Sequence, residues 1–255
     1  MISHFSNSRP LKLGEHLIKL ESVDSTNNFA NNLIRKENPV EGTVILAGYQ
    51  TMGKGQGGSK WVSDSTQNLL FSIILRPDFL KAERQFYLSM CISNGLAALI
   101  EGKVGESQIK WPNDILVRSK KLAGILIENT VMKDMLYTSV VGIGLNVNQS
   151  VFGPGLPDAV SLSLISGIEY NLTDLLNNLL GSISDALEPL YAGNPGIIKT
   201  NYLNRLYRLN EWSRFTDENG IFEGRITDVA GTGELIVSRH NGATREYGFK
   251  EISFS

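Results

Sequence analysis

The segment Gly53-Lys54-Gly55-Gln56-Gly57-Gly58-Ser59-Lys60-Trp61 is the first stretch of this sequence that could do chemistry. Its glycines free successive backbone N–H groups to wrap an anion, its lysines neutralise charge, and Trp61 can act as an aromatic lid. The GxxxxGK(S/T) spacing of a Walker loop is absent. In the second stretch, Lys110-Trp-Pro-Asn-Asp114, a cation, an amide and a carboxylate surround a rigid proline turn. The plainer reading is a hairpin whose Asn113 and Asp114 serve the turn. The third is Lys120-Lys121-Leu-Ala-Gly-Ile-Leu-Ile-Glu128. Its strand is too apolar to be solvated, so Lys121 is expected to point inward toward an anion and Lys120 toward water. Gly124 inside that strand suggests a ligand held against the backbone. The fourth, Gly142–Asn148, sets Asn146 and Asn148 on either side of Val147, so both amides could share a face or simply end a strand. This inventory of cations, amides, glycine N–H groups and one carboxylate suits adenylyl or phosphoryl transfer, where positioning and charge neutralisation do most of the work.

These groups need elements to hold them. Ser25 and Thr26 are candidate N-caps for a short helix with Phe29, Leu33 and Ile34 on one face. Thr43–Tyr49 reads as a strand feeding the glycine segment, which is expected to hold no regular structure. Asn68–Pro77 is a nearly continuous apolar strand stopped by its proline, and a helix from about Glu83 to Ile100 follows. Gln108–Trp111, Ile115–Val117 and Leu122–Glu128 are short strands separated by polar turns. Tyr137–Asn148 is a further strand, and Thr173 is expected to cap a helix whose Leu175, Leu176, Leu179, Leu180, Ile183, Leu187 and Leu190 follow a 3.6 period. A helical stretch ends near Asn210. From Trp212 to Ser255 short alternating strands are broken by Asn219-Gly220, Ala230-Gly-Thr-Gly233 and Asn241-Gly242, the pattern of a small β-barrel. The expected fold is α+β: a mixed β-sheet domain flanked by helices over residues 1–210, and a small all-β domain over 211–255.

Composition sets the outer limits. The chain has 255 residues, and 24 Lys and Arg against 26 Asp and Glu leave a net charge of −2. That balance argues against a broad basic surface for nucleic acid or anionic lipid, though not against a local basic site. The lone Cys91 excludes an internal disulfide and a multi-cysteine zinc site, suits a reducing cytosol, and among apolar helical neighbours reads as core. His4, His16 and His240 show no ligand spacing. The first ten residues lack the apolar stretch of a signal peptide, and no run approaches the ~18 apolar residues that would span a bilayer. A cytoplasmic protein without a membrane segment is expected.

Taken in order, Asp24-Ser-Thr-Asn27, Gln50, the glycine loop ending in Trp61, Lys110–Asp114, Lys121–Leu126 and Gly142–Asn146 resemble the motifs of the biotin–protein ligases over roughly half the chain. The β-rich tail resembles that family's C-terminal domain less specifically. The resemblance implies a class II aminoacyl-tRNA-synthetase-like catalytic domain with an SH3-like β-barrel. It also implies that biotin and ATP react to biotinyl-5′-adenylate and pyrophosphate, after which a lysine of a biotin carboxyl carrier protein or domain takes the biotin and releases AMP. On that basis Ser25, Thr26, Asn27 and Gln50 would surround the ureido head of biotin. Gly53, Lys54, Gly55 and Gln56 would order over carboxylate and phosphate, with Trp61 near the valeryl chain, and Gly124 and Gly142 would leave room for the ligand. Lys121, with Lys54 and Asp114, would form the catalytic set. Lys110, Asn113, Asp114 and Asn146 would lie on the nucleotide side, Asp114 through Mg²⁺. Lys250 and Arg245 are candidates for closing the ATP site.

The loop departs from the family's usual Gly-Arg-Gly-Arg. Lys54 keeps the charge without the bidentate fork and Gln56 keeps only hydrogen bonding, so looser retention of the adenylate is expected. Only 24 residues precede Ser25, too few for the DNA-binding domain that some members carry, so no repressor function and no DNA partner are expected. The oligomer is left open as monomer or homodimer. Two other readings stand beside this one. A lipoate–protein ligase or octanoyltransferase of related fold would bring a different loop or a reactive cysteine. A non-catalytic biotin sensor or scaffold would have lost turnover.

Overall fold

The apolar run Leu69–Leu75 settles the centre of the molecule, because all seven of its residues are buried and must have partners on both faces. In the computed structural model, which describes residues 11–255, they find them. His4 and the rest of the first ten residues lie outside the described residues. The main sheet has seven strands: β1 (Leu17–Val23), β2 (Val44–Gln50), β3 (Leu69–Leu75), β4 (Gln108–Lys110), β5 (Asp114–Val117), β6 (Lys120–Met132) and β7 (Met135–Leu145). Their spatial order is β1-β2-β3-β7-β6-β5-β4. The β1–β2 pair is parallel and all other pairs are antiparallel.

Side chains alternate along β3, so Leu69, Phe71, Ile73 and Leu75 join one core while Ile74 joins another. The smaller core is closed by α1 (Thr26–Glu37), whose buried Ala30 and flanking Phe29, Leu33 and Ile34 pack on Ile45, Ile74 and Val140. The larger core lies under α2 (Phe86–Val104), the short α3 (Leu162–Ser166), α4 (Leu172–Tyr191) and α5 (Pro195–Leu203). The leucine stripe of α4 is buried as the 3.6 period requires. Its cap is Asn171, whose side chain accepts the Thr173 and Asp174 N–H groups; Thr173 is inside the helix, which corrects the expected cap by two positions.

The second sheet is antiparallel: β8 (Trp212–Asp217), β9 (Gly220–Val229), β10 (Leu235–Ser238), β11 (Thr244–Tyr247) and β12 (Ser253–Phe254), in the order β11-β10-β9-β8-β12. Its Phe215, Ile226, Leu235, Val237 and Tyr247 continue the larger core. Two further contacts tie it to the main sheet. The Trp111 indole N–H donates to the Gly233 carbonyl at 2.9 Å, and the Phe249 ring lies 5.4 Å from that of Trp111. No helix among the described residues is long and apolar enough to cross a membrane.

Two elements differ from the expectation. β1 was not expected, because Lys19, Glu21 and Ser22 are exposed and interrupt any apolar run; its parallel register with β2 is what makes it a strand. The glycine segment is more ordered than expected. It folds as a narrow hairpin in which the Trp61 N–H donates to the Gly53 carbonyl and the Gly55 N–H to the Ser59 carbonyl, around a 3-10 turn at Gln56–Gly58.

Candidate active site

A cavity of about 480 Å³ opens where the start of α1, the glycine hairpin, the β5–β6 pair and the end of the second sheet meet. Its floor begins with three consecutive buried polar residues, Ser25, Thr26 and Asn27. Ser25 holds the N-cap position in extended conformation, yet its side chain makes no cap bond and lines the cavity instead. The Thr26 N–H and hydroxyl both donate to Gln50 Oε1, at 2.7 and 3.1 Å. Ser72 Oγ lies 2.7 Å from Thr26 Oγ1 and 2.6 Å from Asn27 Oδ1, while Asn27 Nδ2 donates to Glu128 Oε2 at 2.8 Å. This network fixes the amide of Asn27 against Gly142, where any Cβ would overlap it. A buried polar cluster this connected defines the positions of its donors and acceptors, as recognition of a small polar head group demands.

The next wall is glycine. Gly124 of β6 and Gly144 of β7 are directly paired, and the Trp61 indole lies across them. A Cβ on Gly124 would stand 2.9 Å from the ring, and one on Gly144 would overlap it. The indole N–H is buried without a hydrogen-bond partner. Space expected over Gly124 and Gly142 is therefore filled in this structure by Trp61 and Asn27, and Gly144 does the work of a third such position. Within the hairpin, Lys54 Nζ is 3.9 Å from Glu128 Oε1, and Gln56 Oε1 is buried without a partner.

The charged centre comes from the short β5–β6 pairing. Lys121 Nζ lies 2.7 Å from Asp114 Oδ1. That contact is a charge pair off the hydrogen-bond direction, which leaves Asp114 Oδ1 without a directed donor. Lys121 lines the cavity, 5.7 Å from the centre of the Trp61 ring, while Lys120 is exposed. Backbone bonds on both sides hold Lys121 in place: its N–H donates to the Asp158 carbonyl and its carbonyl accepts from Val160. Asn113 is similarly fixed, since its side-chain N–H donates to the Ile125 carbonyl at 2.8 Å and its own carbonyl accepts the Ile125 N–H.

The cavity thus gathers Ser25, Thr26, Asn27, Gln50, Lys54, Gly55, Gln56, Trp61, Asn113, Asp114, Lys121, Gly124 and Gly142. Four expected residues lie elsewhere. Gly53 borders an adjoining cleft on the outer side of the hairpin. Lys110 does not line the cavity and sits 5.2 Å from the Phe254 ring. Asn146 is buried below it, donating to the Val160 carbonyl, with Oδ1 unpartnered. Arg245 is turned away into the second sheet, paired with Glu218 and Asp217. Ser72 and Glu128 were missed, although Ser72 is the one polar residue in Leu69–Leu75 and Glu128 ends an apolar run. Phe249, Lys250, Ile252 and Phe254 also line the cavity, and of these only Lys250 carried a usable sequence signal.

Cys91 is fully buried and burial pushes its thiol far up, so it is core. Among the described residues no group of three or more His, Cys, Asp or Glu could hold a metal, and Asp114 is the single carboxylate lining the cavity. Such a site fits a divalent ion only as a phosphate complex reaching one carboxylate.

Residues 20–146 match the model of the biotin/lipoate A/B protein ligase family. The chain is 30% identical to the bifunctional ligase/repressor BirA of Bacillus subtilis, over 92% of this chain and 73% of that protein. It is 28% identical to a biotin–[acetyl-CoA-carboxylase] ligase of Paracoccus denitrificans, over 76% of this chain and 82% of that one. Among solved structures, a biotin protein ligase from Aquifex aeolicus in complex with biotin and ATP superposes with a TM-score of 0.78 at 28% identity, covering 94% of this chain and 99% of that chain. The chain belongs to the biotin/lipoate A/B protein ligase family and, within it, to the biotin–protein ligases.

Proposed function

We propose that this cavity activates biotin with ATP and then passes it to a lysine of a biotin carboxyl carrier protein or domain. The observation that carries the reading is the Lys121–Asp114 pair at the junction of a polar head-group pocket and a closing glycine hairpin. In the first step a biotin carboxylate oxygen attacks the α-phosphorus of ATP, the α–β P–O bond breaks, and pyrophosphate leaves. Both reactants are anions, so Lys121 and Lys54 offset their repulsion and the charge that grows in the transition state. Thr26, Asn27 and Gln50 hold the ureido head, while Trp61 and the paired glycines flank the alkyl chain. The glycine hairpin excludes water from the labile mixed anhydride.

In the second step the carrier lysine's neutral amine attacks the acyl carbon, the acyl–oxygen bond breaks, AMP leaves with the bonding electron pair, and the nitrogen releases one proton to solvent as the amide forms. Asp114, with an oxygen free of directed donors, is placed to accept a hydrogen bond from that amine once Lys121 has turned to the nucleotide. Mg²⁺ would arrive on the phosphates and supply charge neutralisation there, with Asp114 the residue to meet it. Asn113 fixes the nucleotide side, and Lys110 and Asn146 support that side from outside the cavity. Residues 1–210 form the catalytic unit on this reading and 211–255 a small all-β unit that completes its wall.

The decisive assay is exchange of labelled pyrophosphate into ATP. Biotin-dependent exchange is expected, followed by transfer to a carrier domain. Exchange that needs lipoate in place of biotin would move the chain to the other branch of its family, and no exchange with either would reduce it to a binding protein.

A further inference from the structure

The cations around the cavity differ in what balances them. Lys121 is paired with Asp114, and Lys54 faces Glu128. Lys250 comes from the second sheet, in the turn between β11 and β12, and lines the same cavity. Its Nζ donates to the Gly57 carbonyl at 2.7 Å, and among the described residues it has no carboxylate partner. An ammonium group has three donors, so one carbonyl leaves two of them, and its full charge, for something else.

The contact is built on both sides. Lys250 has φ 72°, a left-handed conformation that is uncommon and costly for a residue with a side chain and persists where the surroundings enforce it. They do so here. The Gly248 N–H donates to Glu251 Oε2 at 2.7 Å across the turn, and Phe249 packs toward Trp111 and Phe86. On the other side Gly57, at φ 64°, leaves the room Lys250 uses, since a Cβ there would stand 2.9 Å from Nζ and overlap Cε. Arg245, the other cation considered in this sheet, is satisfied by Glu218 at 2.8 Å and Asp217 at 3.6 Å and does not line the cavity.

We propose that Lys250 is an ATP-binding residue: it holds the β- and γ-phosphates, the future pyrophosphate, while its bond to Gly57 latches the glycine hairpin to the second sheet. The proposal rests on the reading of the cavity as the site of biotin activation. It explains how a hairpin whose second polar position is the neutral Gln56 can still close over a polyphosphate: the missing charge arrives from 193 residues away in sequence.

The test uses the full chain with Lys250→Met, Lys250→Arg and Gly57→Ala, measuring KM for ATP and for pyrophosphate in the exchange reaction, and biotin affinity by direct titration. Lys250→Met is expected to raise both nucleotide-side KM values by about tenfold while biotin affinity stays within about twofold, the size of one charge-assisted bond. Lys250→Arg should recover most of that loss, and Gly57→Ala should imitate Lys250→Met. Unchanged KM values in Lys250→Met would overturn the proposal. So would equal losses of biotin and ATP affinity with a lower melting temperature, because Lys250 would then only hold the sheet in place. Absence of biotin-dependent exchange in the unmodified chain is a different failure, which would sink the reading of the cavity along with this one.

Discussion

Two aspartates, each beside basic side chains, show how differently the two sheets of this molecule surround the same charge. Asp217 in the second sheet has a side chain only 1% exposed, and every group around it satisfies it: the Asn219 N–H, the Tyr247 hydroxyl at 2.9 Å, and Arg239 at 3.0 Å. Burial works against its charge, but those donors with Arg239 and Arg245 outweigh burial and hold its carboxyl below the usual carboxylate value. Asp114 has one cation, Lys121, no directed donor on Oδ1, and a cavity beside it. A saturated carboxylate cannot respond to a ligand, whereas an unsaturated one beside a movable lysine can. On the proposed function the same residue types therefore serve structure in one sheet and chemistry in the other, and the number of donors distinguishes them.

Breaking each side should give opposite signatures. Lys121→Ala should lower biotin-dependent exchange by about 10² to 10³. Its melting temperature should hardly move, since a partly exposed pair contributes little to stability. A marked loss of stability with retained exchange would reverse the assignment. Gly144→Ala should come next: its Cβ overlaps the Trp61 indole, so KM for biotin should rise by about tenfold, the usual size of overpacking. An unaltered KM would mean that the Trp61–glycine contact does not shape the binding site.

Asp217→Asn should do the reverse of Lys121→Ala, lowering the melting temperature at pH 7 with turnover of the folded enzyme preserved. Because the folded carboxyl titrates below its unfolded value, its stabilisation is complete above the unfolded pKa of about 4 and is lost as pH falls through the folded value. The melting-temperature gap between wild type and Asp217→Asn should therefore close progressively below about pH 4; a gap independent of pH would show that charge is not what stabilises it. The smallest effect is expected from Lys120→Ala. This exposed neighbour of Lys121 should change exchange by less than about twofold, and a loss matching that of Lys121→Ala would mean the strand faces are misassigned.

Much of this organisation was legible in the chain. β3, α2 and α4 follow from apolar runs and periods that only a buried environment accepts, and the turn at Pro112 follows from its own residues. Lys121 facing in and Lys120 facing out follow from the apolar run that begins at Leu122. Lys121 and Gly124, three residues apart, share the cavity face only because β6 carries an extra residue at Leu122 opposite β5, a bulge that strand alternation does not supply. The invisible parts share a cause. β1 is a strand only because β2 offers it a register, and Asn171 rather than Thr173 caps α4 because side-chain reach, not helix period, selects the cap. Ser72 and Glu128 looked like ordinary strand polar groups until α1 was laid over them.

The sequence by itself determined the chemical inventory, the order of the motifs and the α+β class. These are local properties, set by periods of 2 and 3.6 residues and by the intrinsic demands of Gly, Pro and charge. Only the tertiary structure decided that Trp61 rests on the Gly124–Gly144 pair, that Asn27 meets Glu128 101 residues on, and that Lys250 crosses from the second sheet to Gly57. Those meetings depend on strand order and on how two sheets share one core, which no local pattern encodes.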